Sequence, residues 1–129
     1  MSGRGGLLAV VVWGSAALAQ EPKLAVGGDA SKGQLTYKQV CASCHGDKGL
    51  GNGPAAIALN PKPKRFTDPE VVARLTPDWV YTLVKDGGAA HGKSPLMVPM
   101  IAALTEGQLR DVAAYTLTLV PAVAAPHQK

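Results

Sequence analysis

The sequence predicts an all-α fold with three main helices and one or two short ones, and three observations carry that expectation. Apolar residues recur at helical spacing behind capping signals, no stretch alternates convincingly as a strand would, and two long Gly- and Pro-rich segments separate the periodic ones. Aromatic residues make up only 5% of a chain that is 47% hydrophobic and holds 15 Gly and 10 Pro. Large side chains are therefore scarce, and something besides them is expected at the centre. The length of 129 residues suits one domain.

The chain opens on "MSGRGGLLAVVVWGSAALAQ", one arginine followed by an apolar run and then "ALA" at Ala17 to Ala19. This is the layout of a cleaved secretory signal over residues 1–19, and the run is short for a membrane span, which needs about 20 residues. Residues 20–28 read as a flexible start and 29–120 as the folded domain. Losing Arg4 with the leader lowers the formal charge of +4 by one. The remaining excess is modest and scattered, which argues against nucleic acid as a partner.

The first helix runs from Asp29, its N-cap, to about Cys44, with Gly33, Thr36, Tyr37, Val40 and Cys44 on one face. The stretch "GDKGLGNGPAAIALNPKPKRF" then breaks into loop, in which only "PAAIAL" suits a short helix. A loop this long is expected to wrap something. "DPEVVARL" offers Asp68 as N-cap and Pro69 at the first helical position, for one or two turns. "TPDWVYTLVKDGG" repeats that grammar with Thr76 and Pro77, stops at Gly87-Gly88, and turns Trp79, Val80, Leu83 and Val84 toward the core. After a second irregular stretch, Thr105 and Gln108 form a capping box for a helix that runs to about Val120. Leu109, Val112, Ala113, Thr116 and Leu119 make its buried face. The tail, residues 121–129, is expected to be disordered.

The two cysteines stand together in "CASCH", Cys41 to His45. Cys-x-x-Cys serves redox exchange, zinc or covalent haem. Zinc wants two more ligands at ligand-like spacing, and only His91 and His127 remain. A redox site wants a strand before it, and none is found. The histidine at the next position selects haem: each thiol adds to a vinyl group, and His45 is placed to bind the iron. The expected cofactor is one covalently attached haem c. It would supply the missing buried apolar surface.

A second axial ligand decides what such an iron does: an open position binds small ligands, whereas a closed one favours electron transfer. The second irregular stretch, "GGAAHGKSPLMVPMIAAL", offers His91, Met97 and Met100. Methionines often fill cores, but two within a Gly- and Pro-rich loop are less easily read that way.

With "CASCHGDKGLGNGPAA" early and "SPLMVPM" late, the chain resembles the class I c-type cytochromes, bacterial single-haem soluble electron carriers, from about Gly27 to Leu119. The resemblance implies a small cytochrome c fold wrapped round the haem, with His45 and Met97 as the metal ligands and Met100 as the rival sulfur. It also implies that the backbone carbonyl of Pro54 accepts a hydrogen bond from the other nitrogen of His45, a bond that fixes the tautomer. Gly33 and Tyr37, with Tyr115, match the close crossing of the first and last helices. Trp79 is a candidate donor to a haem propionate or a core residue, and Arg65 a candidate propionate partner.

The function expected is a periplasmic electron shuttle between larger redox proteins, not an enzyme, monomeric by default and without stable membrane insertion. Lys48, Lys62, Lys64, Arg65 and Lys93 are candidates for steering acidic docking surfaces. The rival readings are a haem subunit of a periplasmic oxidoreductase complex and a five-coordinate ligand-binding or peroxidatic haem protein.

Overall fold

The computed structural model describes residues 27–121 together with Gly6 and Gly14. Apart from those two glycines the expected leader at 1–19 lies outside the described residues, as do the tail beyond Pro121 and most of 20–28. Among the described residues there are helices and turns and no strand. None of these helices is long and apolar enough to cross a membrane.

Helix α1 (Ala30–Thr36) starts where the Asp29 carboxylate accepts the N–H groups of Ser31 and Lys32. It passes into a π-helical stretch, Tyr37–Cys41, and then into α2 (Ala42–His45). The expected continuous helix is thus interrupted in hydrogen-bond register, with the Ala42 N–H reaching back to the Tyr37 carbonyl. Such one-turn expansions occur often at functional sites. The predicted face survives the interruption, because Gly33, Thr36 and Tyr37 are buried and Val40 and Cys44 half-buried.

"PAAIAL" forms a 3₁₀ turn, Pro54–Ala58, and α3 is a single turn (Pro69–Val72). Asp68 stands at the N-cap of α3, but its side chain makes no capping bond. Its backbone carbonyl takes the N–H groups of Val71 and Val72, while its carboxylate lies 4.0 Å from Arg65 Nε. Helix α4 (Pro77–Asp86) is capped as expected by Thr76 Oγ1 and ends at Gly87, whose φ of 81° a side chain would strain. Val80 and Val84 are buried, with Trp79 and Leu83 half-buried beside them. Two 3₁₀ turns without separate expectation, Ala89–His91 and Met100–Ala102, punctuate the second loop. Helix α5 (Glu106–Thr118) carries both halves of its capping box.

The core is the cluster of Tyr37, Ala42, Val80, Val84, Leu104, Leu109, Val112 and Ala113. Leu109 and Val112 are fully buried, and burial of such side chains contributes about 1.5–3 kcal/mol each. α5 packs against both α1 and α4. The backbone N–H of Asp29 also donates to Asp111 Oδ1 at 2.8 Å, tying the start of α1 to α5. The tilted rings of Tyr37 and Tyr115 meet at 5.2 Å across this crossing.

Candidate functional site

The π-helical stretch ends on Cys41 and α2 on Cys44 and His45, all half-buried, with both thiols unbridged. Burial and the neighbouring Cys44 push the Cys41 thiol up to about 11. It is held as a neutral thiol, opposite to the lowered value that marks a redox nucleophile. Burial lowers His45, which keeps the imidazole in the neutral form that binds a metal.

The chain after His45 folds straight back on it. Gly51 N–H donates to the His45 carbonyl at 2.8 Å and Gly53 N–H to the Cys44 carbonyl at 3.1 Å. Gly49, at φ 69°, has no side chain where the Phe66 ring lies, for a Cβ there would stand 2.2 Å from Phe66 Cδ2. That leaves Phe66 against the His45 ring, with centroids 5.2 Å apart and planes 32° from parallel. Phe66 was not singled out in the sequence, although its being the only Phe of the chain, at the end of the long loop, was a usable signal.

Pro54 follows this wrap at the start of its 3₁₀ turn, but the expected bond to His45 is not formed. His45 Nδ1 is buried and has no hydrogen-bond partner among the described residues. The two backbone bonds from Gly51 and Gly53 bring the Pro54 turn to α2 without bringing its carbonyl into bonding contact with the imidazole.

Met97 and Met100 are both half-buried and both pack on the core. The Met97 carbonyl accepts the Gly88 N–H at 2.7 Å, and its N–H donates to the Ser94 carbonyl at 3.3 Å. Met100 opens its own 3₁₀ turn, its carbonyl taking the N–H groups of Ala103 and Leu104. His91 turns toward α4 instead: its Nε2 is buried 3.6 Å from Asp86 Oδ2, and Trp79 meets its ring edge-on at 5.0 Å. Trp79 is accordingly a packing partner of His91.

Three of the five basic residues proposed for docking are engaged within the chain. Lys62 Nζ donates to the Ala56 carbonyl at 2.9 Å, Lys64 lies 3.6 Å from Glu70, and Arg65 pairs with Asp68. Lys48 and Lys93 have no ion pair among the described residues. A groove of about 640 Å³ borders Lys38, Asp47, Lys48 and Pro54, and none of Cys41, Cys44, His45 or the two methionines lines it.

Two half-buried thiols, a neutral imidazole beside them and half-buried thioethers in a pinned loop together fit a covalently held haem. The comparisons agree. A family model described as Cytochrome c matches residues 30–119. The chain is 35% identical over 94 residues to cytochrome c-554(547) of Halothiobacillus neapolitanus, covering 71% of this chain and 98% of that one. It is 28% identical over 88 residues to cytochrome c-554(548) of Halomonas halodenitrificans, covering 68% and 93%. A chain of the Kuenenia stuttgartiensis reducing HAO-like protein complex superimposes with a TM-score of 0.58 at 26% identity. The match covers 71% of this chain and 43% of that larger one.

Proposed function

The chain belongs to the cytochrome c family, with a covalently bound haem c, and from that premise we propose that it is an exported class I electron carrier. In this reading Cys41 and Cys44 would hold the haem through thioethers, and His45 and Met97 would be the ligands to its iron. It passes one electron between larger periplasmic redox proteins and is not itself an enzyme. When bound, the haem supplies a one-electron iron couple.

What the chain's residues add is ligand choice and ligand rigidity. The pinned position of Met97 carries the reading: its carbonyl is bonded to the Gly88 N–H at the end of α4, which limits how far its thioether can stray. A neutral, soft sulfur paired with a neutral imidazole as ligands would favour the reduced state and raise the potential. His45 is restrained by Phe66 and by the Gly51 bond behind it, so little needs to rearrange when the charge changes. With the haem in place, the Pro54 backbone carbonyl is the acceptor proposed for the His45 Nδ1–H, since that nitrogen is buried and has no other partner among the described residues. Lys48 and Lys93 are the docking cations this reading favours, with acidic partner surfaces.

The test is the far-red sulfur-to-iron(III) band of the oxidised holoprotein. It should be present in the parent and in Met100→Ala and absent in Met97→Ala. A high-spin parent without the band would defeat the carrier reading and favour an open ligand-binding site. A haem subunit of a larger complex is the second reading, favoured by the likeness to a chain of the HAO-like complex. Equimolar co-purification with an oxidoreductase from native extract would identify it.

A further inference from the structure

We propose that Tyr37 is a positioning residue for the iron-ligating imidazole: its buried hydroxyl staples the attachment segment shut and, through the Gly46–Gly49 turn and Phe66, sets the orientation of the His45 ring. The inference rests on His45 being the ligand. Tyr37 is 1% exposed, and its hydroxyl donates to the Gly46 carbonyl at 2.8 Å. Its own carbonyl receives the Ala42 N–H in the π-helical register. One residue therefore bonds the chain on both sides of Cys44 and His45.

The path onward is continuous. The Gly46 carbonyl also accepts the Gly49 N–H at 3.2 Å, a longer bond than the one from the hydroxyl. The Gly49 carbonyl accepts the Phe66 N–H at 2.7 Å, and the missing Gly49 side chain makes room for the Phe66 ring. Phe66 in turn lies on His45. Without the hydroxyl, a buried carbonyl keeps only its weaker partner, and the turn that places Phe66 is held at one point fewer. The Tyr115 ring on the other side of Tyr37 links the same staple to α5.

The test uses the oxidised holoprotein, the hyperfine-shifted His45 ring resonances in proton NMR, and the midpoint potential. Tyr37→Phe should shift both, whereas Tyr115→Phe, which alters the same ring pair from the α5 side, should move neither. In Tyr37→Phe combined with Phe66→Leu, the shift should be smaller than the sum of the two single shifts, as for groups acting along one path. A Tyr37→Phe protein that loses only denaturation midpoint, or shifts that simply add, would overturn the proposal. If Tyr37→Phe yields no folded holoprotein, Phe66→Leu is read alone: moved His45 resonances support the path and unmoved ones overturn it. A parent protein with no hyperfine-shifted His45 signals would instead remove the ligand assignment, and this inference with it.

Discussion

Gly33 faces the backbone of Asp111 so closely that a methyl group on it would stand 1.9 Å from the Asp111 carbonyl oxygen and 2.9 Å from Tyr115 Cβ. Neither obstacle is the free end of a flexible side chain, so α1 and α5 would have to separate. Alanine is the better helix former by about 1 kcal/mol, but overpacking a close contact costs roughly 1–3 kcal/mol, and here the obstruction is backbone. Gly33→Ala should lower the urea midpoint of the holoprotein at nearly constant slope. An unchanged or raised midpoint would mean the helices are not held at this distance in solution.

Gly88 plays the corresponding part for the methionine loop. A side chain there would meet the Ser94 carbonyl oxygen at 2.1 Å, and the Gly88 N–H is the donor that holds the Met97 carbonyl. Gly88→Ala should therefore act on two readouts together: a stability loss of about 1–3 kcal/mol and a weakened sulfur-to-iron band. A variant that loses stability while keeping the full band would show that the Gly88 contact does not govern Met97.

Much of this arrangement is legible in the sequence, and the parts that are not share a physical cause. Asp29, Thr76 and Thr105 announce helix starts because a capping side chain acts on N–H groups two or three residues away. "CASCH" announces its chemistry because covalent attachment fixes the spacing. The π-helical stretch at Tyr37–Cys41 leaves no such trace, since a change from i−4 to i−5 bonding alters neither the apolar pattern nor the composition. Phe66 and Gly49 are brought together by a loop of irregular backbone, where no periodicity connects positions 17 residues apart. The engaged state of Lys62, Lys64 and Arg65 is hidden for a related reason: long flexible cations choose partners by tertiary proximity.

The capping box of α5 gives a prediction of opposite signs at neighbouring positions. Thr105 Oγ1 accepts the Gln108 N–H at 3.2 Å, and Gln108 Oε1 accepts the Thr105 N–H at 3.0 Å. Thr105→Ala removes the cap and should cost about 1 kcal/mol. Gly107 is exposed inside the first turn, where an added Cβ would find nothing closer than Thr105 Oγ1 at 4.0 Å. Gly107→Ala should thus stabilise by about 0.4–1 kcal/mol, mainly by restricting the unfolded chain. Urea titrations of both variants give the two signs directly, and a destabilised Gly107→Ala would refute the open-space argument.

The last prediction concerns pH and the clamp between α4 and α5. Tyr81 Oη donates to Glu106 Oε1 at 2.5 Å, and Arg110 donates to the same oxygen at 2.7 Å. The tyrosine hydrogen bond is the main reason Glu106 lies below its ordinary value of 4.5, with the arginine adding to it. The same bond is the main reason Tyr81 lies above its ordinary 10.0. For the lowered carboxylate, the unfolded chain takes up its proton first as pH falls, so stability present above 4.5 is lost as the solution acidifies through the folded value. For the raised phenol, the unfolded chain gives up its proton first as pH climbs, so stability present below 10.0 is lost in alkali. Glu106 is exposed and Tyr81 only half-buried, so solvent screening makes each limb shallow. Tyr81→Phe deletes the shared bond while keeping the ring under the Arg110 guanidinium, 5.2 Å from its centroid. Plotted as urea midpoint against pH, the variant should show a flatter acid limb and a flatter alkaline limb than the parent. Parallel curves displaced by a constant amount would mean that Tyr81 stabilises by packing alone and that its proton is not what couples the two helices.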